Sequence, residues 1–200
     1  MKVYVFGDSH AGPYGVHPEI TATPTGPATM YLIGKEGDVL LGDTIKVLIK
    51  DGRLNYEGLW ILTFGEIDTR CLIYNQINEK GRDEEEIITT LVNNYIKRVK
   101  NIYSNIAISS IVPPVNYKTI DYIDPTYPFI GPLEDRARYT KKLNVYLQLK
   151  CEENNIPFIN LYKYYADDNG YMNEQYSRDR VHITDSKYIL KAIQDAGFLK

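Results

Sequence analysis

The sequence predicts an α/β fold, a mainly parallel sheet covered by helices on both faces. Short β-branched or aromatic runs alternate along the chain with longer segments of helical period, the pattern such a sheet leaves in a sequence. The 200 residues, 44% of them hydrophobic, suffice for one compact domain with a real core and are too few for two, so residues 1–200 read as a single domain. Neither an internal repeat nor a low-complexity tract interrupts this order.

The first strand is expected at Lys2 to Phe6, where the apolar run KVYVF stops abruptly at GDSH. Thr44 to Ile49 reads as an edge strand or a hairpin arm running into Asp51-Gly52, and Leu59 to Phe64 as a central strand. A helix follows from about Asp83 to Tyr103, with Ile87, Ile88, Leu91, Val92, Tyr95, Ile96 and Val99 on one apolar face. Its first turn carries Asp83, Glu84, Glu85 and Glu86 and its last Lys97, Arg98 and Lys100, the distribution a helix dipole favours; the acidic run is therefore a solvated helix start rather than a metal site. Ile106 to Val112 is the next strand. Between Pro113-Pro114 and Pro132 lies VNYKTIDYIDPTYPFIG, a proline-studded aromatic loop without period, of a length typical of lids, binding loops or disordered segments. A helix over about Leu133 to Asn154, a strand at Pro157 to Asn160 and a helix over about Asp185 to Ala196, closed by Gly197, complete the pattern.

Charge and composition exclude several functions. The net charge of −3 leaves no basic surplus, which argues against nucleic acid and against a membrane surface as partner. The N-terminal apolar run is too short for a signal peptide, and no stretch approaches the roughly 20 residues that span a bilayer, so a cytoplasmic, soluble protein is expected. Cys71 and Cys151 suit a reducing compartment. Cys151 follows Leu143 and Leu147 at fourfold spacing, which makes it a core residue. Oligomeric state is not legible.

In a parallel sheet the ligand site gathers beyond the carboxyl ends of the strands, where GDSH sits. Ser9 there would have backbone N–H groups and a positive dipole end beside its hydroxyl. A hydroxyl needs a base to act as nucleophile, and the base needs an orienting partner. Of the three histidines, His10 adjoins Ser9 and its side chain should diverge, while His17 lies in a Pro/Gly-rich loop with no evident partner. His182, in SRDRVHIT, has Asp179 three residues upstream, within reach of its imidazole. Each piece alone has an ordinary explanation: Ser9 as a helix cap, Asp179 and His182 as surface residues. Their conjunction is far more specific. Asp8-x-His10 also begins dinuclear metallophosphoesterases, but Gly42-Asp43-Thr44-Ile45-Lys46 lacks the further aspartate such a site needs, and three histidines are too few. GPATMYLIGK is no phosphate-binding loop, because Gly26 and Gly34 are wrongly spaced and no Ser or Thr follows Lys35.

With these residues in place, the chain resembles the SGNH, or GDSL, hydrolase superfamily from Val3 to about Ile183. Gly7-Asp8-Ser9 matches its first block and Asp179-Arg180-Val181-His182 its last. The resemblance implies a three-layer α/β/α sandwich of flavodoxin-like topology, with Ser9 as nucleophile, His182 as base, Asp179 as its orienting carboxylate, and no metal or cofactor. It implies oxyanion donors from the backbone of Ser9 and of a second-block glycine, for which Gly26 is the first candidate and Gly34 the second. The third block, GxND in the family, reads Gly65-Glu66-Ile67-Asp68 here, with Ile67 where the oxyanion-binding asparagine belongs. FGEIDTRC resembles a branch carrying GEIDxR, so Glu66, Asp68 and Arg70 are candidates for oxyanion or substrate positioning, Arg70 alone being able to meet negative charge directly. The competing reading makes the three a buried salt-bridge cluster. The implied reaction is hydrolysis or transfer of a small acyl group, with a small-molecule or carbohydrate ester as substrate. Tyr122, Tyr127 and Phe129 would either stack on a sugar or pack beneath the loop. A binding protein that has lost catalysis, suggested by Ile67, and an O-acyltransferase using the same serine are the alternatives.

Overall fold

The computed structural model describes residues 1–35, 50–51, 57–102, 104–117 and 125–199. The predicted strand at Thr44 to Ile49, Gly52 of the hairpin and Tyr122 lie outside them. In chain order the elements are β1 (Val3–Gly7), a 3-10 segment (Ser9–Val16), β2 (Ile20–Pro24), α1 (Met30–Gly34) and β3 (Leu59–Thr63). A wide helical turn (Asp68–Leu72) then leads into α2 (Ile73–Asn78), followed by α3 (Glu84–Val99), β4 (Ile106–Ser109), β5 (Val115–Asn116) and α4 (Leu133–Glu153). Last come β6 (Phe158–Ile159), α5 (Tyr162–Tyr165), β7 (Met172–Asn173) and α6 (Lys187–Asp195).

Five strands form one sheet in the order β2-β1-β3-β4-β6, every neighbouring pair parallel. Taken by position among the sheet strands, this is the flavodoxin-like order, with helices on both faces. All residues of β1, β3 and β4 are buried, because a sheet covered on both sides sends successive side chains into two cores. Tyr4, Phe6, Trp60, Leu62, Ile106 and Ile108 face one core, filled by α3 and by Tyr139, Leu143, Leu147 and Cys151 of α4. Val3, Val5, Leu59, Ile61, Ala107 and Ile159 face the other, closed by Tyr14, Tyr165 and by Ile189, Ala192 and Ile193 of α6.

α3 buries all seven apolar residues that its period predicts, and Asp83 caps it by accepting from the Glu86 amide at 2.8 Å. Both cysteines are buried and free. Among the described residues no helix is long and apolar enough to cross a membrane.

Departures from the sequence reading have local causes. β2 was not expected: it is an edge strand with one buried residue, Ile20, so it lacks the apolar signature, and it ends on Pro24. β4 stops at Ser109 rather than Val112 because Asn144 of α4 takes over the backbone beyond it. Its Oδ1 accepts from the Ile111 amide and its Nδ2 donates to the Ile111 carbonyl, both at 2.8 Å and buried. The start of the long loop is not irregular either. Val115 and Asn116 pair with Met172 and Asn173, which draws this segment beside the chain leading to Asp179.

Asn144 thus substitutes for a strand partner. Asn144→Ala should lower unfolding free energy by about 2–6 kcal/mol, since two buried backbone groups lose partners worth about 1–3 kcal/mol each. Urea denaturation measures it, and a loss under about 0.5 kcal/mol would mean that water replaces the amide.

Candidate active site

The site grows from one row of the sheet. Gly7 is in register with Pro24 on one side and Thr63 on the other, so Ser9, Gly26 and Gly65 each lie two residues beyond that row. A side chain at Gly7 would place its Cβ 2.3 Å from the Thr63 carbonyl oxygen, so only glycine lets β1 end this close to β3. Gly65 turns the chain with φ of +114°, and a Cβ there would meet Ile111 at 2.7 Å.

Asp8 caps the 3-10 segment, accepting from the His10 amide at 2.8 Å, which leaves Ser9 exposed at the first position of that segment. The Ser9 hydroxyl is 2.7 Å from His182 Nε2, and His182 Nδ1 is 2.6 Å from Asp179 Oδ2. Asp179 Oδ1 accepts from the amides of Val181 and His182 at 3.0 and 2.8 Å, and Ser177 donates to it at 3.3 Å. Partial burial acts to raise the Asp179 pKa, but the His182 ring and these two amides outweigh it and hold the carboxyl well below the usual range. Between them Arg180 adopts a φ of +65°, costly for a residue with a Cβ, and this bend aims both amides at one carboxylate oxygen. The arrangement of hydroxyl, imidazole and carboxylate is that of a nucleophile with its base and orienter.

His10 was set aside as a base, and its geometry gives it another job. Its Nδ1 is 2.9 Å from Asp8 Oδ1 and its Nε2 3.1 Å from the Val181 carbonyl. Both partners accept, so the buried ring donates from both nitrogens as an imidazolium. Burial opposes the charge, but Asp8 by charge and hydrogen bond, with help from Glu66 and the Val181 carbonyl, raises the His10 pKa to about 9. The ring lies 4.7 Å from that of His182. His10 therefore ties the Ser9 turn to the Asp179–His182 turn. Nothing in the residue pattern distinguishes it from a surface histidine beside a serine.

The GEID segment divides. Ile67 is 5% exposed and supplies no side-chain amide to the site. Asp68, expected with the oxyanion- and substrate-binding residues, points inward: at 1% exposure its carboxylate accepts from the Met30 and Tyr31 amides at 2.7 and 3.1 Å, fastening the start of α1. Burial pushes its pKa up to about 7 against the pull of those amides. Glu66 and Arg70 form a two-pronged ion pair at 2.6 and 3.0 Å. Arg70 also donates to the Tyr127 carbonyl, and Ile130 donates to the Arg70 carbonyl, so residues 127–130 are pinned here. Phe129 packs against the guanidinium groups of Arg70 and Arg136, at 5.5 and 4.8 Å. Gly26 is exposed past the end of β2, whereas Gly34 packs on α3, where a Cβ would come within 3.0 Å of the Tyr95 amide nitrogen.

Glu66 and Arg70 line a narrow, solvent-open cleft together with Phe129, Arg136, Arg180 and Val181. Arg136 escaped the sequence reading. The available signal was an arginine at the helical spacing of Tyr139, Thr140 and Leu143, all buried on α4. Among the described residues no group of three or more His, Cys, Asp or Glu side chains is placed to hold a metal ion.

No protein-family model and no curated protein matches the sequence. Among solved structures, the chain is similar to a GDSL-like lipase from Bacteroides thetaiotaomicron VPI-5482, with 18% identity, 98% of this chain and 86% of that one covered, and a TM-score of 0.60. It is similar to an acetylxylan esterase from Geobacillus stearothermophilus, with 14% identity, 99% and 94% coverage and a TM-score of 0.55. A third is an alpha/beta hydrolase enzyme from the metagenome of Lake Arreo, Spain, with 10% identity, 98% and 94% coverage and a TM-score of 0.54. At these identities the likeness establishes a shared fold, the one expected from the GDS and DxxH blocks.

The charge on His10 has a thermodynamic signature. Its folded pKa of about 9 exceeds the ordinary 6.5, so the stability it contributes is complete below pH 6.5 and is lost as pH rises through about 9. The stability gap between wild type and His10→Gln, from denaturant titrations across that range, should be widest at its acid end. A gap independent of pH would mean a neutral His10.

Proposed function

We propose that, on this shared fold, the chain acts as a single-domain, cytoplasmic serine esterase that removes small O-acyl groups, acetyl foremost, from carbohydrate without a metal or cofactor. The observation that carries the reading is the unbroken hydrogen-bonded run from the exposed Ser9 hydroxyl through His182 to Asp179. Ser9 Oγ attacks the ester carbonyl carbon while His182 Nε2 takes its proton. The amides of Ser9 and Gly26, two residues past paired strand ends, hold the oxyanion. The tetrahedral intermediate collapses as His182 gives the proton to the leaving sugar oxygen, which frees the alcohol and leaves an acyl-serine. Water then attacks, giving a proton to His182, and the second collapse releases the carboxylic acid and returns the proton to Ser9. Asp179 keeps the proton on Nδ1, so that Nε2 faces the serine as acceptor.

The acetylxylan esterase among the similar structures supports acetyl on a sugar as the substrate class. Glu66 and Arg70, paired with each other and pinned to the Tyr127 segment, form the wall of the substrate cleft. An alcohol in place of water at the second step gives O-acyl transfer from the same acyl-serine. Ile67 favours a second reading, a binding protein of low catalytic power, because a missing side-chain oxyanion donor costs about two to three orders of magnitude in rate.

Fluorophosphonate labelling and p-nitrophenyl acetate hydrolysis decide between these. Wild type should label and turn over, Ser9→Ala and His182→Ala should do neither, and Asp179→Asn should lower kcat by about two to four orders of magnitude. A wild type that neither labels nor hydrolyses sinks the esterase reading in favour of binding.

A further inference from the structure

Arg136 is a charge in an expensive place. It is 4% exposed on the inner face of α4, and among the described residues no carboxylate lies within ion-pair distance. Its Nη2 donates to the Tyr117 hydroxyl at 3.0 Å and its guanidinium lies over the Phe129 and Tyr117 rings at 4.8 and 6.0 Å. Its Nε has no hydrogen-bond partner. Rings and a hydroxyl offset only part of the desolvation of a buried guanidinium, and removing an ion from water without a counter-charge costs several kcal/mol. Arg136 lines the same cleft as Arg70 and Arg180. Glu66 answers Arg70, so it does not neutralise Arg136. Arg180 and Val181, which also line the cleft, stand between Asp179 and His182 in the chain, so the cleft and the Asp179–His182 turn share residues.

We infer that this cleft is an anion subsite that takes a carboxylate carried on the alcohol part of the ester, making an acylated acidic sugar the preferred substrate. The inference rests on the esterase reading for its substrate, though not for binding. The planar guanidinium fork matches a carboxylate, and one buried cation without a counter-charge calls for a singly charged group. Phe129, already stacked on two guanidinium groups, supplies an apolar edge for the sugar.

The test compares the kcat/KM of the full chain on O-acetyl glucuronate and O-acetyl glucose. The acid should be preferred by at least about tenfold, the worth of one charge-assisted hydrogen bond, and Arg136→Lys or Arg180→Gln should bring the ratio toward unity. The ratio is insensitive to a general loss of activity, and Arg180→Gln alters a less buried position should Arg136 prove necessary for folding. Separately, Ser9→Ala protein is titrated calorimetrically with glucuronate, glucose, inorganic phosphate and sulfate. Glucuronate binding that Arg136→Lys weakens by about tenfold supports the subsite. Phosphate or sulfate binding without glucuronate binding overturns the carboxylate assignment. Absence of any anion binding, or a wild type that hydrolyses both esters equally, overturns the subsite. Glucuronate binding by a protein that never labels with fluorophosphonate keeps the subsite and removes the esterase.

Discussion

The mouth of the sheet depends on how closely β1 and β3 approach at Gly7. Because no side chain stands between that residue and the Thr63 carbonyl, both strands end level with each other and with β2. Parallel pairing has no slack: one residue of slip would send every side chain of a strand to the opposite core. The cores of Tyr4, Phe6, Trp60 and Leu62 on one face and of Val3, Val5, Leu59 and Ile61 on the other therefore hold the loops in register. The positions of Ser9, Gly26 and Glu66 are consequences of packing far beneath them.

Polar groups at this mouth fall into two kinds, separated by burial. Asp8, His10 and Asp68 are buried, and the hydrogen bonds of the His10 ring, of Asp8 Oδ1 and of the Asp68 carboxylate go to backbone or to another buried group. An unmet group there costs about 1–3 kcal/mol, so these contacts define where the turns sit. The Asp179 side chain is 51% exposed, and solvent screens its contact with His182. Such a pair adds little to stability. Its short contacts instead fix the direction of an imidazole, which is a demand of chemistry rather than of folding.

Much of this was legible in the sequence. The central strands, the three long helices and the pairing of GDS with DxxH each carry a local pattern that burial leaves in the chain. β2 was not legible, because an edge strand with one buried side chain has no apolar run. Asp68 looked like a site residue because a carboxylate beside Gly65 and Arg70 has the right chemistry. Only the fold shows that the start of α1 comes to meet it. His10 was hidden for a related reason: its partner, the Val181 carbonyl, is 171 residues away in sequence. A residue whose meaning lies in a distant backbone atom leaves no spacing to read.

The four-residue turn from Asp179 to His182 has a further consequence, which concerns the order of assembly. Acid and base share one turn, so their mutual orientation is settled by bonds to neighbouring amides as soon as that turn forms. Completing the Ser9–His182–Asp179 run then demands a single long closure, between His182 and a serine 173 residues away. Closure entropy grows only as the logarithm of loop length, and here it is shared with the docking of Ile183 and α6 onto the sheet. Ser9 meets His182 only when the C-terminal segment has docked. Partial undocking of that segment would part His182 from Ser9 while the central sheet remained folded, so this contact reports on the last closure rather than on the core.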